Sequence, residues 1–250
     1  MGARRLARRA TRRSEGRFLV EGPGAVEAAL ATDGLVELFA TPEAAERHPH
    51  LTGDATLVTG KVMEALAQTV SPQGLVGVAL ARDVPLADAL AKRPLLVAVL
   101  AYARDPGNAG TILRTADAAG AELVVFPDES VDPYNPKCVR SSAGSIFHVD
   151  VVDGGAVPDV LAALREAGLT VRATTADAGT PLDEADLTGP TAWVFGNEAW
   201  GMPEDVITMA DERVRVPIYG RAESLNLATA AAVCLYASAK GQRDPGGCRT

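Results

Sequence analysis

Cysteine is scarce in this 250-residue chain: Cys138, Cys234 and Cys248 are odd in number and lie far apart. That pattern excludes a disulfide framework and a paired-cysteine zinc site, and it fits a reducing cytoplasm. The three histidines, His48, His50 and His148, form no metal-ligand motif, and His148, at the start of an expected strand, reads as structural rather than as a general base. No metal is expected. No apolar run approaches the ~18–20 residues that cross a bilayer, and no charged-then-apolar signal segment opens the chain. A cytoplasmic protein without membrane association is therefore expected. P-loop and nucleophile-elbow motifs are absent. Gly22-Pro23-Gly24 with Glu27 is only a broken dinucleotide fingerprint, which speaks against a nicotinamide-dependent oxidoreductase.

What is present is an ordinary globular composition, 47% hydrophobic and 22% charged. The net charge of −8 hides an asymmetry. Residues 1–17 hold Arg4, Arg5, Arg8, Arg9, Arg12, Arg13 and Arg17 against Glu15 alone. A basic arm on an acidic body commonly meets a polyanion, because each phosphate contact releases counterions. The plainer alternative is a solvated tail.

Hydrophobic periodicity divides the rest. Helices are expected over 25–31, 42–47 and 61–68, with strands over 35–40, 55–58 and 74–81, giving a small α/β domain over 18–81. A connector follows over 82–93, with a short helical turn at 86–91. From residue 94 to 242 the units lengthen. Strands are expected at 95–101, 122–126, 147–152, 170–173, 192–195 and 213–216. Helices are expected at 109–119, 136–140, 157–167 and 225–240, and residues 243–250 read as a tail. Strands alternating with helices imply a mostly parallel sheet, whose ligands sit beyond the strands' carboxyl ends.

Three segments after strands stand out. In the first, Arg104 to Arg114, Asn108 is placed to cap a helix and Arg114 lies near two turns onward. In the second, Val194 to Pro203, an apolar strand runs into Gly196-Asn197-Glu198-Ala199-Trp200-Gly201. Glycines there allow a backbone to approach a ligand, whereas Glu198 and Trp200 are costly residues for a mere turn. In the third, Val216 to Leu227, Ser224 reads as the natural helix cap, and nothing about helix formation calls for Asn226.

Together these loops are similar to the three signature motifs of the SpoU/TrmH family of RNA 2′-O-ribose methyltransferases, in the SPOUT superfamily. The resemblance covers residues 94–240, with 139–148 similar to the family's connecting motif. The first domain resembles the ribosomal-protein-like, RNA-binding domain of rRNA-modifying members. The resemblance implies an α/β parallel-sheet SPOUT domain with a deep trefoil knot, S-adenosylmethionine (AdoMet) as methyl donor, and a homodimer built on the last helix. It implies cofactor contacts from Thr174, Gly196, Asn197, Val216, Ile218 and Leu225, and a catalytic set of Asn108, Arg114, Glu198, Ser224 and Asn226. The expected substrate is 23S rRNA. The alternatives are tRNA, or a non-catalytic RNA-binding or ribosome-assembly factor on the same scaffold.

Overall fold

The computed structural model describes residues 2–176 and 179–243. Of the expected tail, Arg243 is the last residue of a helix, and residues 244–250, Cys248 among them, lie outside these residues. A short 3-10 helix (Ala3–Ala7) and α1 (Arg9–Glu15) lead into β1 (Arg17–Glu21). The basic first segment is therefore folded rather than projecting. Ala3 and Leu6 join an apolar cluster with Leu19, Met63, Val76 and Val78. Arg12 is buried, with its guanidinium 2.5 Å from the buried Asp132 carboxylate. An ion pair between residues so far apart in the chain is invisible to local patterning. Arg4, Arg5, Arg8, Arg9 and Arg13 remain exposed.

The small domain continues with α2 (Pro23–Ala31), β2 (Leu35–Ala40), α3 (Pro42–Arg47), β3 (Thr56–Leu57), α4 (Gly60–Leu66) and β4 (Leu75–Leu80). Thr41 and Thr59 cap α3 and α4, accepting from the backbone N–H of Ala44 and Val62. The sheet order is β1-β4-β2-β3, with β4 antiparallel to both neighbours and β3 parallel to β2. β1 lies outside the expected elements, because its apolar run of Phe18-Leu19-Val20 is too short to announce a strand.

The connector carries α5 (Leu86–Ala91). The second domain then runs β5 (Leu96–Leu100), α6 (Pro106–Ala119), β6 (Leu123–Phe126), α7 (Pro136–Ser142), β7 (Asp150–Asp153) and α8 (Val157–Glu166). It closes with β8 (Thr170–Thr174), β9 (Thr180–Pro181), β10 (Thr191–Phe195), α9 (Glu204–Ile207), β11 (Glu212–Arg215) and α10 (Leu227–Arg243). Its seven strands lie in the order β7-β6-β5-β10-β8-β11-β9, and every pair is parallel. β5 and β10 are buried at every position, as central strands covered on both faces must be. The strand expected from Phe147 begins only at Asp150, because residues 145–147 wind a 3-10 turn entered through Gly144. β9 gives no pattern signal; it is a two-residue edge strand, where its proline is tolerated.

Helix packing fixes the layers. α6 crosses α7 so closely that a Cβ on Gly110 would lie 2.2 Å from the Cys138 carbonyl oxygen. α10 covers β10 and α6 with Ala228, Ala231, Cys234, Leu235, Ser238 and Ala239 buried, and the Trp193 indole donates to the Ser238 hydroxyl at 2.9 Å. Burial pushes the Cys138 thiol up, and that of Cys234 up to about 12, so neither is a nucleophile. One apolar cluster also joins the two domains. Phe18 packs 4.7 Å from the Tyr134 ring and 5.8 Å from that of Phe147, while the Tyr134 hydroxyl accepts from Arg82 N and donates to Asp83.

The order β5-β10-β8-β11 has a direct consequence. Neighbouring parallel strands stand ~4.8 Å apart, so the loops leaving their carboxyl ends meet on one edge of the sheet.

Candidate active site

Two helix starts differ from expectation, and both differences shape the site. Asp105, not Asn108, caps α6, accepting from Asn108 N at 2.8 Å. The Lys137 ammonium, 2.8 Å away, and that backbone donor hold the Asp105 carboxyl below its ordinary range. The Asn108 side chain is thereby free for other partners. At the other end of the site, α10 begins at Leu227, and Asn226 serves as its cap: its Oδ1 accepts from Ala228 N at 2.9 Å and Thr229 N at 3.4 Å. Ser224 does not cap that helix and lies exposed in the preceding loop.

These caps orient a polar relay. Because Asn226 Oδ1 faces the helix N–H groups, its Nδ2 is the atom that donates to Asn108 Oδ1, at 3.0 Å. Asn108 Nδ2 then points to Glu198 Oε1, 3.3 Å away. The Glu198 carboxylate also accepts from the backbone N–H of Arg104 at 3.2 Å and Asp105 at 3.1 Å. Three loops are thus joined through one carboxylate and two amides. Unused amide hydrogens and carboxylate lone pairs remain to bind a hydroxyl group.

The loop after β10 is shaped by backbone demands. Asn197 N donates to Gly201 O at 2.6 Å, and Gly201 N returns a bond to Asn197 O at 3.0 Å. Gly201 has φ +73°, and a Cβ on Gly196 would lie 2.6 Å from Gly201 O, so both positions favour glycine. The Asn197 side chain locks the loop to the end of β5, donating to Tyr102 O at 3.0 Å and accepting from Ala199 N at 2.9 Å.

Beside the relay lies a cleft lined by Thr174, Gly196, Asn197, Val216, Ile218 and Leu225, together with Thr175, Glu223, Ser224, Leu227 and Ala230. All six residues expected to touch the cofactor therefore meet in one place. Apolar side chains beside hydroxyl and backbone groups, with a carboxylate at the rim, suit an adenosine carrying a positive charge. A second, wider cleft adjoins it, lined by Arg104, Asp105, Asn108, Asn197, Glu198, Trp200 and Asn226 among others. Of the expected catalytic set, Asn108, Glu198 and Asn226 line this cleft and Ser224 the first. Arg114 stands exposed on α6 and lines neither. Sequence reasoning missed Arg104, whose position directly before the α6 cap was its only signal, and Glu223, which nothing marked.

A cleft at a parallel sheet's carboxyl edge, with a relay of one carboxylate and two amides beside it, is where ligands bind in open α/β folds. The SpoU rRNA Methylase family model matches residues 95–236, and an MRM3-like substrate binding domain model matches residues 2–77. The chain belongs to the SpoU rRNA methylase family. It is 36% identical over 221 residues to the 23S rRNA (guanosine(2553)-2′-O)-methyltransferase RlmP of Bacillus subtilis, covering 88% of this chain and 87% of that one. An AdoMet-bound rRNA methyltransferase from Sinorhizobium meliloti superposes with a TM-score of 0.84 at 31% identity, covering 96% of this chain and 93% of that one. The SpoU methyltransferase AviRb from Streptomyces viridochromogenes, in complex with AdoMet, gives 0.83 at 29% identity and 98% coverage of each. The substrate-binding model's match begins at residue 2 and so takes in the basic first segment.

Proposed function

We propose that this chain transfers a methyl group from AdoMet to a ribose 2′-hydroxyl of 23S rRNA. The observation that carries the reading is the meeting of the cofactor-type cleft with the Glu198–Asn108–Asn226 relay at one sheet edge. Bound AdoMet would supply an electrophilic sulfonium methyl, so the protein's task is alignment of the nucleophile. Thr174, Gly196, Asn197, Val216, Ile218 and Leu225 would hold the cofactor. Asn108, Glu198 and Asn226 would orient the ribose, with Ser224 in the cofactor-type cleft. Arg114 makes no ion pair among the described residues, and its guanidinium is suited to clamping a phosphate bidentately. A guanidinium offers only N–H donors and no acceptor, so it is a poor general base.

Support for rRNA over tRNA comes from the small domain, the five exposed arginines of its first segment and its likeness to a substrate-binding module. RNA read through phosphates, 2′-hydroxyls and splayed bases fits that layout. Tyr219, Val233 and Tyr236 are large residues exposed on α10 and the loop before it. We assign this face to a homodimer, and we retain the knotted chain path as part of the proposal. No helix among the described residues is long and apolar enough to cross a membrane.

Calorimetry with AdoMet tests the reading against a non-catalytic RNA-binding factor. Binding that is lost when Gly196 is replaced supports the enzyme; no binding by the wild-type chain refutes it.

A further inference from the structure

Trp200 is large, exposed and unused by the chemistry above. Its side chain is 55% exposed and its indole N–H makes no hydrogen bond among the described residues. Trp193, the only other tryptophan, is fully buried and bonded to Ser238. An indole with a free N–H and an open face is an apolar body with a polar tip, suited to a ligand that is itself flat and polar at its edge.

The ring is also held in place. It sits at the tip of the turn closed by the reciprocal Asn197–Gly201 bonds, and the Asn197 side chain ties that turn to Tyr102 O. The Tyr102 ring backs the indole at 5.4 Å with a 47° tilt. Tyr102 itself adopts φ +62°, an uncommon conformation for a bulky residue, and burial raises its hydroxyl pKa. Trp200 lines the cleft that holds Arg104, Asn108, Glu198 and Asn226, and it also borders the neighbouring space lined by Thr174, Arg213 and Leu225. Arg104 is exposed and makes no ion pair among the described residues.

We propose that Trp200 is a stacking platform for a nucleobase of the RNA substrate, a positioning residue that holds the nucleoside so that its ribose reaches Asn108, Glu198 and Asn226. The inference rests on the methyltransferase reading above. Unstacked RNA bases are commonly held on aromatic faces, and the interaction tolerates any base because every base has a π-face. Tyr102 and the Asn197 turn fix the indole in advance, so little order is lost on binding.

The test compares wild type, Trp200→Ala and Trp200→Phe, using 23S rRNA transcribed in vitro and tritiated AdoMet. Loss of one stacked base, ~1–3 kcal/mol, corresponds to a rise in RNA KM of about 5- to 150-fold in Trp200→Ala. The fall in kcat should be smaller, AdoMet affinity by calorimetry should stay within about twofold, and Trp200→Phe should recover most of the KM. Intrinsic fluorescence reads the contact itself. A single-stranded RNA of mixed sequence, ~10 nucleotides long, should quench wild-type emission and leave Trp200→Phe, which retains only Trp193, unmoved. An unchanged KM in Trp200→Ala overturns the proposal, as does the absence of quenching. Selective loss of AdoMet affinity also overturns it, assigning the ring to the cofactor instead. Failure of the wild-type chain to bind AdoMet refutes the methyltransferase reading separately, and the quenching arm still decides whether the indole meets a base.

Discussion

Asn226 has two jobs that one pair of substitutions can separate. Its Oδ1 caps α10 through Ala228 N and Thr229 N, while its Nδ2 donates to Asn108 Oδ1. Asn226→Ala removes both. Loss of an N-cap costs about 1 kcal/mol, and loss of the exposed amide–amide bond adds about 0.5 kcal/mol. For a chain of this size each kcal/mol lowers Tm by roughly 2–4 °C, so a fall of about 3–6 °C is expected. Asn226→Asp keeps the cap, and its charge is favourable at a helix N-terminus by ~0.3–1 kcal/mol. Its Tm should equal or exceed the wild-type value. Yet the introduced carboxylate cannot donate to Asn108, and Asn108 can turn to meet it only by releasing Glu198. Misalignment of a reacting hydroxyl by such a change is worth ~10²-fold in rate. Both variants should therefore lose about that factor in kcat for methyl transfer to unmodified rRNA, whereas only Asn226→Ala should melt early. Scanning fluorimetry and a tritium-transfer assay read the two effects. An Asn226→Asp enzyme with wild-type kcat would refute the relay; an Asn226→Ala Tm equal to wild type would refute the cap.

Other outcomes follow from the same geometry. Gly196→Val places a side chain against Gly201 O and Met202 Cγ, where even a Cβ sits at 2.6 Å; AdoMet affinity by calorimetry should fall more than about tenfold. Arg12→Ala strips the buried Asp132 of its closest cation, leaving only Arg9 at 3.9 Å. The expected cost is about 3 kcal/mol, the lower end for a broken buried pair, read as a drop in the denaturant midpoint at unchanged m. Replacing Arg4, Arg5 and Arg8 with Gln, all exposed, should leave stability unchanged. It should reduce the slope of log affinity for RNA against log salt by about 2–3 if all three meet phosphates, and an unchanged slope would remove them from the interface.

The parallel core was legible because continuous apolar runs such as Leu96–Leu100 and Thr191–Phe195 have no other stable use than burial on both faces. The cleft was legible through loops whose glycines and small polar residues follow such strands, and the six residues expected there line one cavity. The caps were misread. Asn108 and Ser224 are good capping residues by type, but Asp105 and Asn226 hold the positions where the backbone turns into the helix. Residue type suggests a cap; only the chain path assigns it. The folded first segment was hidden for a different reason. Its arginines dominate the local composition, while Leu6 packs with Met63 and Arg12 pairs with Asp132, contacts made across long sequence separations. Arg114, singled out with the catalytic set, stands away from both clefts on the exposed side of α6.

The most direct measurement of the central claim is the chemical position of the transferred methyl group. Unmodified 23S rRNA labelled by the wild-type chain from tritiated AdoMet would be hydrolysed in alkali, which cleaves beside free 2′-hydroxyls and spares a methylated ribose. The expected result is label in alkali-resistant dinucleotides, accumulating about 100-fold more slowly with Asn226→Asp. Label released in mononucleotides would place the methyl on a base and contradict the ribose-orienting role of Asn108, Glu198 and Asn226.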